Sequence, residues 1–321
     1  MKVIQITDVL NAAVIEKHLD SSLDFEYKRA KEKEEIVKVA KEADILISIY
    51  ENIDRQVLDQ LPNLKFIAMG SIGYNFVDVA YAREKNIYVA NNPIYCVEEV
   101  ADHTLGLIID RCRRISDFNA SIKNEHKWEY NAFGNSLSRL SSKKVALIGL
   151  GKIGRAVAKR LKGFGVKVLA YDPYIKKSVF KEEGVEEVSL KEIQEQADII
   201  SLHLPLTEET HHMIDETFIR GCKKAIILIN TARGSVVDEG IYEKGLRENL
   251  FLGLGLDVLE SEDPDLRKLC FIQDERLVIT PHSAFYSRES DFAADYDVAK
   301  HINLYVEGKM DEIPIVNKEI V

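Results

Sequence analysis

A guanidinium, a carboxylate and an imidazole occur in that order at Arg233, Glu262 and His282, downstream of a glycine-rich stretch, Gly149-Leu150-Gly151-Lys152-Ile153-Gly154. An imidazole can move a proton, a carboxylate can tune that imidazole, and a guanidinium can bind carboxylate oxygens two at a time. Glycines at this spacing let backbone approach a dinucleotide pyrophosphate. Taken together, the four features read as a site for hydride transfer.

The glycine stretch sits where such a site needs it. Lys144-Val145-Ala146-Leu147-Ile148 is a short apolar run of β type, and Arg155 to Leu161 has helical periodicity, so the glycines fall at a strand-to-helix turn. Gly149 permits the tight turn, Gly151 gives close approach to the pyrophosphate, and Gly154 lets the helix pack on the strand. Lys152 and Ile153 join them as cofactor contacts at the helix N-terminus. A second strand, Val166 to Tyr171, ends at Asp172, about where an acidic residue binds the adenosine ribose hydroxyls. An aspartate there repels a 2′-phosphate and no arginine follows it closely, so NAD is expected over NADP.

Ile229-Asn230-Thr231-Ala232-Arg233-Gly234, Leu256-Asp257-Val258-Leu259-Glu260-Ser261-Glu262 and Ile279-Thr280-Pro281-His282 resemble the signature segments of the D-isomer-specific 2-hydroxyacid dehydrogenases, and the similarity runs over nearly the whole chain. In that family the arginine holds the substrate carboxylate and polarises the 2-oxo group, the histidine is the acid/base, and a glutamate pairs with the histidine. The resemblance puts these roles on Arg233, His282 and Glu262; Glu262 is preferred to Glu260 for its spacing from Asp257. Reduction of a 2-oxo acid places negative charge on the carbonyl oxygen as hydride reaches C2, so a fixed cation and a proton donor must both face that oxygen. A carboxylate beside the imidazole is expected to raise the histidine pKa and keep it protonated for reduction near neutral pH.

The resemblance also implies cofactor contacts at Thr104, Thr231, Ala232 and Asp257, the last facing the nicotinamide amide. His203, just after a cofactor-domain strand, is expected to line the NAD crevice. Ser71, Ile72 and Gly73 look like the substrate loop whose backbone amides hold the carboxylate, with Tyr50 and Phe285 bordering the substrate side chain. Members acting on 3-phosphoglycerate carry arginines near the end of the third strand, where this chain has Ile47-Ser48-Ile49-Tyr50-Glu51-Asn52; many glyoxylate and hydroxypyruvate members have an arginine where this chain has Met69. A small to medium apolar 2-oxo acid is therefore expected, with a hydroxypyruvate/glyoxylate reductase or a phosphoglycerate dehydrogenase as alternatives. Asp263 replaces a proline common among relatives. The Phe285 segment and the tail Ile315 to Ile320 also resemble the C-terminal-binding protein corepressors, which leaves an NADH-sensing binding module as another reading. A formate-type dehydrogenase would carry glutamine in place of Glu262.

Positioning these residues requires two α/β lobes. Short apolar strands at Val3–Ile6, 44–48, 65–69 and 87–90 alternate with amphipathic helices, the pattern of parallel sheets. A long helix begins near Val97, and a last helix over 291–307 crosses back. The expected organisation is a Rossmann NAD-binding domain (97–287) inserted into a flavodoxin-like substrate domain (1–96 and 288–321), with the active site in a cleft between the two lobes. At 321 residues, with 46% hydrophobic and 30% charged residues, the chain can build both cores. Its formal charge of −10 excludes a strong basic field, so neither nucleic acid nor an anionic membrane is an expected partner. Four cysteines without close spacing, and His211 and His212 adjacent, give neither a disulfide framework nor a metal site. No signal-like or membrane-spanning run is present, so the expectation is a cytoplasmic enzyme, a homodimer by resemblance, joined around the helix from Val97.

Overall fold

The computed structural model describes residues 1–134 and 137–318, and the chain divides into two compact units, Met1–Tyr95 with Tyr286–Val321, and Cys96–Phe285. Glu319 and Ile320, the end of the corepressor-like tail, lie outside the described residues.

In the first unit β1 (Lys2–Gln5), α1 (Ala12–His18), β2 (Asp24–Tyr27), α2 (Lys33–Ala40), β3 (Ile45–Ser48), α3 (Arg55–Asp59), β4 (Phe66–Met69), α4 (Val79–Glu84) and β5 (Tyr88–Ala90) alternate along the chain. The strands form one parallel sheet in the order β2-β1-β3-β4-β5, the flavodoxin-like order. β4 is apolar throughout and β3 apolar up to Ser48, and every residue of both is buried, as in a parallel strand covered on both faces. β2, the edge strand Asp-Phe-Glu-Tyr, has exposed ends and no apolar run, which is why periodicity does not reveal it. Beyond β5 the tail returns to this unit. Ile315 bridges Ala90, and the fully buried Asn317 accepts from Val89 N at 2.9 Å and donates to Ile87 O at 2.9 Å.

The second unit contains α5 (Val97–Arg113), α6 (Ile115–Glu125), β6 (Lys144–Ile148), α7 (Lys152–Gly163), β7 (Lys167–Tyr171), α8 (Lys177–Glu182), β8 (Glu186–Glu187), α9 (Leu190–Gln196), β9 (Ile199–Leu202), α10 (Glu216–Gly221), β10 (Ile226–Asn230), α11 (Gly240–Arg247), β11 (Phe251–Leu256) and β12 (Leu277–Ile279). Its parallel sheet runs β12-β11-β10-β9-β6-β7-β8, so the winding direction reverses between β6 and β9. That reversal opens a crevice at the carboxyl ends of the strands, where ligands of doubly wound sheets bind. Alternate strand residues supply two cores: Val145, Leu147, Ile199 and Ile229 pack with α5 and α7, whereas Ala146, Ile148, Ile200 and Leu228 pack with α10 and α11.

The last helix, α12 (Arg288–Val306), belongs to the first unit and buries Ala294, Val298, Ala299 and Ile302 there. It starts before Asp291 because Ser287 caps it, accepting from Ser290 N at 2.9 Å.

Candidate active site

The glycine turn joins β6 to α7 at the switch point. Gly149 has φ +97°, and a Cβ there would lie 2.3 Å from His203 O; a Cβ on Gly154 would lie 2.4 Å from Gly149 O. Both positions admit only glycine without rearrangement. Gly151 caps α7 without any side-chain hydrogen bond and faces open space, so the first-turn amides keep their capacity to bind an anion. Asp172, at the end of β7, is fastened across this turn: Oδ2 accepts from Leu150 N at 2.9 Å and Oδ1 from Tyr174 N at 3.0 Å. This cradle fits a dinucleotide, with backbone for the pyrophosphate and a carboxylate for the ribose. His203 follows β9, its N–H donating to Ile148 O at 2.8 Å and its Nε2 within 3.0 Å of Ser201 Oγ. Burial pushes its imidazole down to about 4, so it stays neutral at physiological pH.

Arg233 occupies the turn after β10. The turn is shaped by Asn230, fully buried, whose Oδ1 accepts from Ala232 N at 3.0 Å and whose Nδ2 donates to Arg233 O at 3.0 Å. Sequence reasoning assigned Asn230 nothing; its signal is a buried amide at the end of an apolar strand, which needs such partners. Gly234 meets the Leu259–Glu260 backbone directly, since an added Cβ would lie 1.9 Å from Leu259 O. The arginine turn is therefore packed directly against the segment leading to Glu262.

Two imidazole–carboxylate pairs separate the two candidate glutamates. Glu262 Oε2 lies 2.6 Å from His282 Nδ1, while Glu260 Oε1 lies 2.7 Å from His212 Nε2 and accepts from Glu239 N. Burial pushes the Glu262 carboxyl up, but the hydrogen bond and charge of His282 and the charge of Arg233 outweigh it and hold Glu262 below its ordinary value. Arg233, Glu262 and His282 thus share one electrostatic neighbourhood within the second unit. The Phe285 ring stands edge-on to the His282 ring, with centroids 6.2 Å apart.

Asp257, at the end of β11 and 2% exposed, anchors the histidine loop. Oδ1 accepts from the Thr280 hydroxyl at 2.5 Å and from Ser283 N at 2.9 Å, and Oδ2 from Ala284 N at 2.9 Å. A carboxylate has about four acceptor sites, so Oδ2 retains one. Thr104 has no exposed surface; its hydroxyl donates to Val100 O at 2.7 Å and lies 2.8 Å from Thr231 Oγ1, so it backs Thr231 from the core.

In the first unit, Ser71, Ile72 and Gly73 form a loop after β4 that is held from within and from behind. Ser71 Oγ donates to Gly73 O at 2.7 Å, Asn91 Nδ2 to Ile72 O at 2.8 Å and Asn92 N to Ser71 O at 2.9 Å. Tyr50 packs edge-on against Phe76. Among the described residues no group of three or more His, Cys, Asp or Glu could hold a metal ion, and no helix is long and apolar enough to cross a membrane.

Residues 105–284 match the family model described as D-isomer specific 2-hydroxyacid dehydrogenase, NAD binding domain. Across 96% of the chain the sequence is 36% identical to a glyoxylate reductase of Korarchaeum cryptofilum, of which it covers 92%. The chain is a D-isomer-specific 2-hydroxyacid dehydrogenase. It is also 35% identical to a D-3-phosphoglycerate dehydrogenase of Methanocaldococcus jannaschii, over 96% of the chain and 58% of that protein. Its fold is similar to a D-lactate dehydrogenase from Aquifex aeolicus solved with NAD and lactic acid, with a TM-score of 0.87, 29% identity and full coverage of both chains. The dehydrogenase is an oxidoreductase that uses NAD.

Proposed function

We propose that this dehydrogenase reduces a small to medium apolar 2-oxo acid to its D-2-hydroxy acid, with Arg233, Glu262 and His282 as the working side chains. The observation that carries the reading is the 2.6 Å bond between His282 Nδ1 and Glu262 Oε2 beside the charge of Arg233. Bound NADH supplies the hydride. Arg233 takes the substrate carboxylate and draws electron density onto the 2-oxo oxygen. With Nδ1 committed to Glu262, His282 delivers the proton to that oxygen from Nε2, and Glu262 stabilises the imidazolium before transfer. Oxidation of the 2-hydroxy acid runs the same steps backwards, with His282 accepting the hydroxyl proton. The remaining acceptor site on Asp257 receives the nicotinamide amide, and the 71–73 loop holds the substrate carboxylate.

Two features support an apolar substrate. Phe285 borders His282, and the 47–52 stretch offers no cation. In that stretch Glu51 is 7% exposed, its Oε2 accepting from Ser48 Oγ at 2.7 Å and Ile49 N at 2.9 Å; a buried carboxylate there disfavours a phosphate. The second reading, glyoxylate or hydroxypyruvate reduction, draws on the name of the Korarchaeum relative. Initial rates of NADH oxidation with pyruvate, 2-oxoisocaproate, phenylpyruvate, hydroxypyruvate, glyoxylate and 3-phosphohydroxypyruvate decide between them, with NADPH in parallel. The expected order puts an apolar acid first in kcat/KM, yields the D-product, places the phosphorylated acid last and favours NADH. Hydroxypyruvate or glyoxylate ahead of every apolar acid sinks the pocket argument.

The enzyme is a homodimer joined through its second unit and works in the cytoplasm, where four free thiols are at home. α5 is packed into the core through Ala101, Leu107, Ile108 and Cys112, so the contact lies beyond it: α6 buries no residue, and Trp128 and Tyr130 are 88% and 90% exposed. Light scattering on a sizing column is expected to give twice the chain mass of 36.5 kDa, falling to one chain when Trp128 and Tyr130 are both changed to Glu. A monomeric parent protein refutes the assembly.

A further inference from the structure

The loop that carries His282 is held in an unusual conformation. His282 has φ +50°, in the left-handed region that few non-glycine residues occupy. Three hydrogen bonds from Asp257 fix it there: the backbone carbonyl accepts from His282 N at 2.8 Å, and the carboxylate accepts from Ser283 N and Ala284 N. The carboxylate is in turn fixed by the Thr280 hydroxyl, 2.5 Å from Oδ1.

A second histidine completes this arrangement. His103, on α5, places Nε2 2.9 Å from Thr280 Oγ1 and 3.7 Å from Asp257 Oδ1. The Thr280 proton points at the carboxylate, so the threonine oxygen can only accept from the imidazole, and Nε2 of His103 must carry the hydrogen. Without that donor the hydroxyl is free to rotate, one partner of a buried carboxylate loosens, and the left-handed turn at His282 loses part of what holds it.

We propose that His103 is a positioning residue for proton transfer: through Thr280 and Asp257 it fixes the backbone that aims His282. The inference rests on the reading of His282 as the acid/base. Rotation of the His282 ring by a small angle misplaces a proton donor that must meet the substrate oxygen at hydrogen-bond distance, and misplacements of that order are costly in rate. His103 itself stays out of the proton path, so 2-oxo acid affinity should scarcely register its loss, while NADH affinity should fall modestly through the Asp257 carboxylate proposed to receive the nicotinamide amide.

The test compares His103→Leu, which removes the donor, with His103→Gln, whose amide nitrogen can reach a similar position, each alone and combined with His282→Ala. His103→Leu is expected to lower kcat about tenfold, with the 2-oxo acid KM and the melting temperature near those of the parent and the NADH Kd raised by less than the fall in kcat. Deuterium on the transferred position of NADH should slow the variant more than the parent. His103→Gln should recover most of the rate, and adding His103→Leu to His282→Ala should cost nothing further. The proposal is overturned by an unchanged kcat in His103→Leu, by equal impairment in His103→Gln, by a loss confined to NADH binding, or by a second full loss in the double variant. Retained turnover in His282→Ala alone instead refutes the acid/base reading, so the two failures are told apart.

Discussion

Replacement of His282 by Ala is expected to reduce kcat for 2-oxo acid reduction by about 10²- to 10⁴-fold, the range for loss of a positioned general acid, with NADH affinity almost unchanged. The cradle proposed for NADH, Gly149, Gly151, Gly154 and Asp172 around the β6–α7 turn, includes no residue of the His282 loop. A loss in kcat and kcat/KM together, without a matching loss of NADH binding, is the signature of an interaction made in the transition state. Glu262→Gln is expected to act differently. The carboxylate 2.6 Å from Nδ1 orients the ring through a charge-assisted hydrogen bond that a neutral amide replaces only in part, so the variant should keep measurable turnover at a reduced kcat. The sign on the acid side follows from Glu262 itself. Its carboxyl is held below its ordinary value, so the stabilisation from pairing is present above the unfolded carboxylate range and is lost only as pH falls through the lowered value. The parent should therefore keep its pair, and its rate advantage over Glu262→Gln, through mild acid and lose that advantage only as pH falls through the lowered Glu262 value. Turnover by His282→Ala near the parent rate, or a parental kcat in Glu262→Gln at neutral pH, would remove this pair from the mechanism.

The elements most legible in the sequence were those where one physical constraint dominates. Buried parallel strands are apolar along most of their length, so β3, β4 and β6 announce themselves, and the glycine turn is visible because backbone crowding at Gly149 and Gly154 excludes every other residue. β2 escaped because an edge strand with exposed ends needs no apolar run. Within the site, residue order and the family resemblance singled out Arg233, Glu262 and His282; in the structure Glu262 lies beside His282 and Glu260 beside His212. What the sequence could not display is who holds whom. Asn91 fastening the 71–73 loop and His103 reaching Thr280 are contacts between residues well apart in sequence, and Asn230 shapes the arginine turn by a local bond that only its burial makes telling. Such contacts leave no periodicity. Thr104 shows the same limit from the other side: its position in a helix was readable, but its hydroxyl is taken up inside the core.

Gly234→Ala is expected to be nearly as damaging as loss of Arg233 itself, although it changes no charged or polar side chain. The φ of Gly234 lies outside the left-handed region, so the added methyl meets a problem of space alone: its carbon would sit 1.9 Å from Leu259 O and 2.4 Å from Glu260 N. Both are backbone atoms, which cannot swing aside as a side-chain tip would, and the contact must be relieved by parting the two segments. One of those segments presents Arg233, and the other runs through Glu260 to Glu262. Parting them by even a fraction of the overlap changes the distance between the guanidinium and the Glu262–His282 pair, and a shift of about 1 Å in a catalytic constellation can cost about 10²-fold in rate. Stability should also fall by about 1–3 kcal/mol, as for other overpacked sites. The two effects are separable by measuring kcat/KM well below the melting temperature of the variant, alongside NADH binding at the unaltered glycine turn. A rise in the 2-oxo acid KM together with a Glu262→Gln-like fall in kcat is the expected pattern, because both Arg233 and Glu262 are displaced. If Gly234→Ala instead shows parental kcat/KM and only a lower melting temperature, the two segments can part without disturbing their side chains, and the rigid coupling argued here between the arginine turn and the glutamate segment is wrong.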